Sequence, residues 1–474
     1  MSSAELASQS KRACIIAAAG CGKTHLIAEA VAKHSARREL ILTHTNAGVD
    51  VLRRRLRSMK APATSYDIET LAGWALRYTL AFPVSSGQSV QQPKSEEAWN
   101  HTYDSCTRLI GIRPVREIIE ASYSGVYVDE YQDCSVDQHK MVCALAAVLP
   151  CRILGDPLQG IFGFKKTELV DWDRDIQPHF EMLPELNVPW RWQSASPVLG
   201  KWLSEVRIDL IQNRPVDLKK APTQYVQWIQ LPTNQSQHHM ARLTALRNAA
   251  KKTGTVVAIM RWEAECNKFV SALAPIYHNI ETVACDALMQ ASEHIESNTG
   301  LARMDAVVSF ACECLTGIKA ELQTVITAIK RGSTARKKPY TRQVEMNLLL
   351  NIVTSPSLDA VLPALDGLRK IPGTKLWRRE LFLEMRRALR EYATGQHPDL
   401  KTAAWSIRNK TRHAERTLGT RVVSRTLLVK GLEFDHCVIL DADSLTVKDL
   451  YVALTRGSTT LTILSKSSLL QPKP

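Results

Sequence analysis

Apolar and polar positions along the chain alternate in blocks that predict strands feeding loops and then helices. A β-branched pair, Ile15 and Ile16, passes into small residues and glycines, then into the helical pattern HLIAEAVAKH. Glu39 to Thr43 (ELILT) reads as a second strand, followed by THTNAGVDVLRRRL, a loop entering a basic helix. Ser65 to Leu80 (SYDIETLAGWALRYTL) carries helical periodicity, and the polar residues 83 to 97 read as a loop opening a short insertion that ends near Ala121. GVYVDEYQDCS predicts a buried strand terminating in carboxylates. Cys151 to Phe164 (CRILGDPLQGIFGF) repeats that design, a strand and then a loop with Asp156 and Gln159. Such alternation predicts an α/β fold with parallel sheets whose ligands bind at the carboxyl ends of the strands.

The pattern changes at Pro197. Thr255 to Trp262 (TVVAIMRW) predicts one more strand, and the chain then reads as mostly helical to about residue 417. This region contains Lys330 to Arg342, with six basic residues and no acidic ones, and Trp377 to Tyr392, where arginines alternate with an apolar face. Each reads equally as a nucleic-acid contact or as a solvated face. The last sixty or so residues return to an α/β pattern, and no internal repeat is visible.

Two stretches carry chemistry. In ACIIAAAGCGKT, strand, loop and helix follow one another as a phosphate cradle requires. Gly20 and Gly22 let backbone N–H groups approach phosphate oxygens, Lys23 reaches the β/γ oxygens and Thr24 offers a hydroxyl to Mg²⁺. Ala17 stands where the usual pattern has its first glycine. A secretory or lipidation signal is excluded, because the apolar run is short and continues directly into GKT. The nucleotide-binding stretch is Gly20, Cys21, Gly22, Lys23, Thr24 and His25. The second stretch places Asp129 and Glu130 at the end of a strand, where one carboxylate can hold Mg²⁺ and the other activate water.

Composition narrows the setting. A chain of 474 residues has room for about three domains. Its 45% hydrophobic and 23% charged residues read as globular, and no apolar run approaches the roughly 18 residues of a membrane span. The formal charge of +14 favours a polyanionic partner. Eleven scattered cysteines without a CxxC pair suggest a reducing cytoplasm and give no zinc-ligand spacing.

With these stretches in place, the chain resembles superfamily 1 DNA helicases of the UvrD/Rep type. AAAGCGKT is similar to that family's AGAGSGKT, THTNAG to TFTNKA, VDEYQDCS to VDEFQDTN, GDPLQGIFGF to GDDDQSIYGF, LLVKGLEFD to HKSKGLEFD and YVALTRG to YVAITRA; VPWRW stands where the family has NYRS. The resemblance implies ATP and Mg²⁺ as cofactors. It gives Lys23, Glu130, Gln159, Arg191 and Arg456 catalytic roles, Thr24 and Asp129 the metal, and Glu433, beside Arg191 and Arg456, a place at the nucleotide. It also implies DNA contacts at Thr45, Asn46, Phe162, Phe164 and Arg261. Gln9 stands closer to Lys23 than the family's adenine-reading glutamine.

The implied architecture is two RecA-like domains, 1–80 with 119–195 and 196–285 with 418–474, carrying a short insertion at 81–118 and a basic helical one at 286–417. The implied activity is ATP-driven 3′ to 5′ movement on single-stranded or tailed duplex DNA. Size favours an alternative, in which compact members resemble the helicase-like component of Gabija antiphage systems and the chain is an ATPase subunit regulating a partner nuclease.

Overall fold

The computed structural model describes every residue except 1, 36, 89–92, 94, 162–167, 281–285, 333–342, 414–418 and 474. The chain divides into two compact units, residues 1–238 with 429–474 and residues 239–428.

In the first unit, strands β1 (Arg12–Ala17), β2 (Glu39–Thr43), β3 (Tyr66–Thr70), β4 (Gly125–Val128), β5 (Cys151–Gly155) and β6 (Glu181–Leu186) form a parallel sheet of order β3-β2-β4-β5-β1-β6. Successive residues point to opposite faces of a strand, and here both faces are buried. Cys14, Leu40, Leu42, Val126, Val128 and Ile153 belong to one apolar cluster, while Ile15, Ile41, Tyr127 and Leu154 belong to another. Each fully buried aliphatic side chain contributes roughly 1.5–3 kcal/mol. The central strands therefore read as mainly apolar runs, and the one buried arginine among them, Arg152 of β5, pairs with Glu39 of β2 at 3.5 Å. Register places Ile16 beside Gly155, Val128 beside Ile153 and Leu42 beside Val128. The segments leaving β1, β2, β4 and β5 thus emerge along one rim.

Two local expectations are corrected. Ser65 to Leu80 is not one helix: β3 comes first, and the helix Leu71–Ala81 starts only after Thr70, whose hydroxyl accepts from the Gly73 N–H at 3.0 Å. Tyr66, Ile68 and Thr70 alternate with period two, and pairing with β2 decides the outcome. The polar stretch from residue 83 contains a short helix, Pro83–Ser86, and Ser95 caps the helix Glu96–Ile110. Tyr103, Cys106 and Leu109 of that helix share a core with Trp74 and Tyr78.

Six further strands follow, three in each unit: β7 (Val226–Gln230), β8 (Val256–Ile259), β9 (His278–Asn279), β10 (Arg421–Ser424), β11 (Phe434–Ile439) and β12 (Gly457–Ser465). In the first unit β12 lies between β11 and β7; in the second β10 lies between β8 and β9, all these pairs being parallel. The α/β expectation with parallel sheets holds. The rest of the second unit is largely helical around one apolar cluster running from Leu288 to Ile407. Trp377 to Tyr392 falls mainly in the helix Arg379–Ala393, which buries Leu381, Phe382, Met385 and Leu389. Arg386 pairs there with Asp366 at 2.6 Å and Arg378 pairs with Glu313, so these two arginines serve the unit's own packing. Residues 333–342 of the basic stretch lie outside the described residues. Among the described residues ten cysteines are free thiols, and no helix is long and apolar enough to cross a membrane.

Candidate functional site

The site lies along the rim of the first sheet. Between β1 and the helix Lys23–His34, Gly20 and Gly22 adopt φ of 72° and 89°, a region that favours glycine. A Cβ on Gly20 would stand 2.8 Å from Trp192 Cζ3 and 2.9 Å from Arg191 Cβ, and one on Gly22 would stand 3.2 Å from Trp190 Cδ1. Glycine is thus required twice over, by conformation and by the Trp190–Trp192 turn seated against the loop. The Gly20 carbonyl accepts from the Arg191 N–H at 3.2 Å, and the Ala19 N–H donates to the Tyr451 hydroxyl at 3.0 Å. Trp192 is buried and donates to the Gly457 carbonyl, whereas Trp190 is 60% exposed.

Lys23 is buried, donates to the Ala17 carbonyl at 3.2 Å and stands 3.8 Å from Glu130 Oε1. Burial alone would lower its pKa, but Glu130, Asp156 and Asp129 outweigh burial and the nearby Arg191 and hold it above the ordinary value. Asp129 and Glu130 close β4. Burial and the Glu130 charge push the Asp129 carboxyl up, and its Oδ1 accepts from the Glu130 N–H at 2.9 Å. Burial also opposes ionisation of Glu130, yet Lys23, Lys430, Gln132 and Arg456 hold it well below the usual carboxylate range. Glu130 sits at φ 56°, a conformation uncommon outside glycine that costs of order 1–3 kcal/mol and is typical of functional turns. Its carboxylate is therefore ionised, strained into place and next to the lysine.

The Thr24 hydroxyl and the Asp129 carboxylate are oxygen donors of the kind that Mg²⁺ takes. No group of three or more His, Cys, Asp or Glu among the described residues could hold a metal ion.

Beyond β5, the buried Asp156 accepts from Gln159 Nε2 at 3.0 Å and from Arg207 at 3.2 Å, and Arg207 also pairs with Glu185 at 2.7 Å. Arg191 donates through Nε to Glu433 at 2.9 Å and through Nη1 to the Thr455 carbonyl at 2.7 Å. The two residues that the resemblance implies at a nucleotide are thus joined to each other here. Arg456 is 1% exposed; it bonds Val452, Leu432 and Thr455 at 2.9–3.0 Å, and burial with Arg191 nearby lowers it to about 10.

Cys21 is buried, and burial pushes its thiol up to about 11; His25 is exposed and stands 3.8 Å from Glu29. Thr45 caps the helix Asn46–Ser58 by accepting from Gly48 at 3.1 Å, with Asn46 as the first helical residue. Arg261, in the second unit, lies over the exposed Trp262 ring at 5.0 Å. Phe162 and Phe164 lie outside the described residues.

Sequence reasoning assigned no role to Gln132, Asp133, Arg207, Lys430 or Tyr451. The first two and Lys430 stand inside DEYQD and KGLEFD, so the motif boundaries were the available signal. Lys430 Nζ donates to both oxygens of Asp133 at 2.5 and 2.6 Å and to the Gln159 carbonyl. Burial pushes Asp133 up to about 7 and lowers Lys430, while each partner favours the charged form of the other.

An α/β fold with a glycine-lysine loop facing paired carboxylates defines a phosphate-binding class of site. Residues 2–165 match the family model described as AAA domain. No curated protein matches the chain. Among solved structures, it is similar to Arterivirus nonstructural protein 10 (helicase) at 11% identity and TM-score 0.35, covering 97% of this chain and 61% of that one. The complex of Arterivirus nonstructural protein 10 (helicase) with DNA aligns at 13% identity and TM-score 0.29, over 55% and 51% of the two chains. PRRSV helicase aligns at 12% and 0.33, over 98% and 54%. The chain thus spans between 51% and 61% of the length of those structures.

Proposed function

We propose that this chain is an ATP-hydrolysing motor on single-stranded DNA, moving 3′ to 5′ as a helicase of the UvrD/Rep type does. One observation carries the reading: groups from distant parts of the sequence meet within the first unit, Lys23 standing 3.8 Å from Glu130, the Arg191 N–H on the Gly20 carbonyl, and Arg456 near enough to act on the Glu130 charge.

In this reading Lys23 binds the β/γ-phosphates and the loop N–H groups cradle them. Glu130, ionised beside Lys23, takes the proton of the attacking water, and Gln159 orients that water or the γ-phosphate. Thr24 and Asp129 would hold Mg²⁺ when nucleotide is bound, and the ion would supply neutralisation of phosphate charge. Arg191 and Arg456 stabilise the charge that develops in the transition state. For Arg191 this requires exchanging Glu433 for phosphate, after which Glu433 is free to accept from the ribose. The positive charge of the chain suits a polyanionic track.

The test has two parts. Single-stranded DNA is expected to raise ATP turnover several-fold or more, and the protein is expected to displace streptavidin from the 5′ end of a biotinylated strand faster than from its 3′ end. Turnover indifferent to DNA would overturn the motor reading, and the opposite displacement bias would overturn its polarity.

A further inference from the structure

Six side chains and their backbones close a ring through the site. Gln132 Nε2 donates to Glu130 Oε2 at 2.5 Å, and Gln132 Oε1 accepts from the Asp156 N–H at 2.9 Å. Asp156 Oδ2 accepts from Gln159 Nε2 at 3.0 Å, and the Gln159 carbonyl accepts from Lys430 Nζ. Lys430 also donates to both Asp133 oxygens, and the Asp133 N–H donates to the Glu130 carbonyl at 3.0 Å. The ring therefore starts and ends at Glu130.

A buried ion pair by itself returns little net stability, because desolvation offsets the attraction. Here the Lys430 and Asp133 side chains are each 4% exposed, and the ammonium meets three acceptors on two different turns. A compact three-donor group suits that arrangement, whereas a planar guanidinium would not reproduce it. One turn follows β4 and carries Glu130; the other follows β5 and carries Gln159.

We propose that Lys430 is a positioning residue for nucleotide hydrolysis, fixing the Glu130 and Gln159 turns in one register by gripping the Asp133 carboxylate and the Gln159 carbonyl together. The inference rests on the ATP-hydrolysing reading and extends it to a residue that need not touch nucleotide. Losing the grip lets the two turns drift separately, so the chemical step suffers while phosphate binding at Lys23 persists.

The deciding variant is Asp133→Asn with Lys430→Met in the full chain, which removes both charges and leaves neither buried alone. Folding is checked by thermal melting, kcat and KM by steady-state ATP hydrolysis with single-stranded DNA, and Kd with a non-hydrolysable ATP analogue. The expected result is a kcat lower by about 10- to 100-fold, the range for residues that orient catalytic groups. Kd is expected to stay within about threefold of the native value. A folded double variant that keeps its kcat, or one that loses only nucleotide affinity, overturns the inference and leaves the ATPase reading standing. A native protein that hydrolyses no ATP removes both. Should the double variant fail to fold, Lys430→Gln, which keeps a donor without the charge, is read by the same two measurements with the same outcomes.

Discussion

Both units bury charge, and they do so in different ways. In the second unit Arg408 and Glu384 form a pair 1% and 3% exposed, joining the helix Leu400–His413 to Arg379–Ala393 inside an apolar core. Its partners come from sequence neighbours 24 residues apart, and the pair joins two adjacent helices. At the first sheet's rim, the side chains of Lys23, Asp129, Asp133, Asp156, Lys430 and Arg456 are all buried, and they come from five segments spread over the whole chain. Desolvating that many charges is costly, and a well-packed apolar cluster would be at least as stable. Charge that could be replaced by packing is structural; charge whose geometry no packing could replace points to chemistry.

The comparison breaks most sharply at Glu130. Glu130→Gln keeps the shape and removes the base, so kcat for ATP hydrolysis is expected to fall roughly 10²- to 10⁴-fold with little change in melting temperature. Undiminished turnover would make the rim charges structural after all.

Next in size is the pair in the helical unit. Arg408→Met takes the guanidinium away from the buried Glu384 and is expected to cost about 3–5 kcal/mol, whereas Arg408→Met with Glu384→Leu is expected to be neutral or stabilising. Denaturant melts give both numbers. A double variant as unstable as the single one would erase the distinction between the two regions.

A smaller effect is expected at Glu433. Glu433→Gln frees Arg191 from its partner but weakens the acceptor proposed for the ribose, so KM for ATP is expected to rise about tenfold, as for one charged hydrogen bond. Because Glu433 is exposed, stability should not change.

The smallest concerns pH. Burial, with Lys430 nearby, holds His44 down to about 4 against an ordinary 6.5, so the folded chain keeps it neutral. The stability it contributes is present above pH 6.5 and is lost as pH falls towards 4. His44→Asn is expected to flatten that acid limb of the melting temperature by a few degrees.

How much was legible follows from how local each signal is. The strand, glycine loop and helix around Lys23, and the carboxylates after β4, are written in consecutive residues and were readable directly. Ser65 to Leu80 misled because Leu71, Trp74 and Tyr78 repeat at helical spacing and mask the five-residue strand before them. β6 was missed because it is an edge strand, where Pro184 is tolerated and polar residues face out. β7, half-exposed, was missed for the same reason. Lys430 and Asp133 are 297 residues apart, and no periodicity reports a pairing over that distance.

The central claim is that groups from both ends of the chain act on one triphosphate, and its most direct measurement is ATP hydrolysis by Lys23→Ala beside the native protein, with single-stranded DNA present. The account expects turnover in the native chain and none above background in the variant. Equal turnover in both would contradict it.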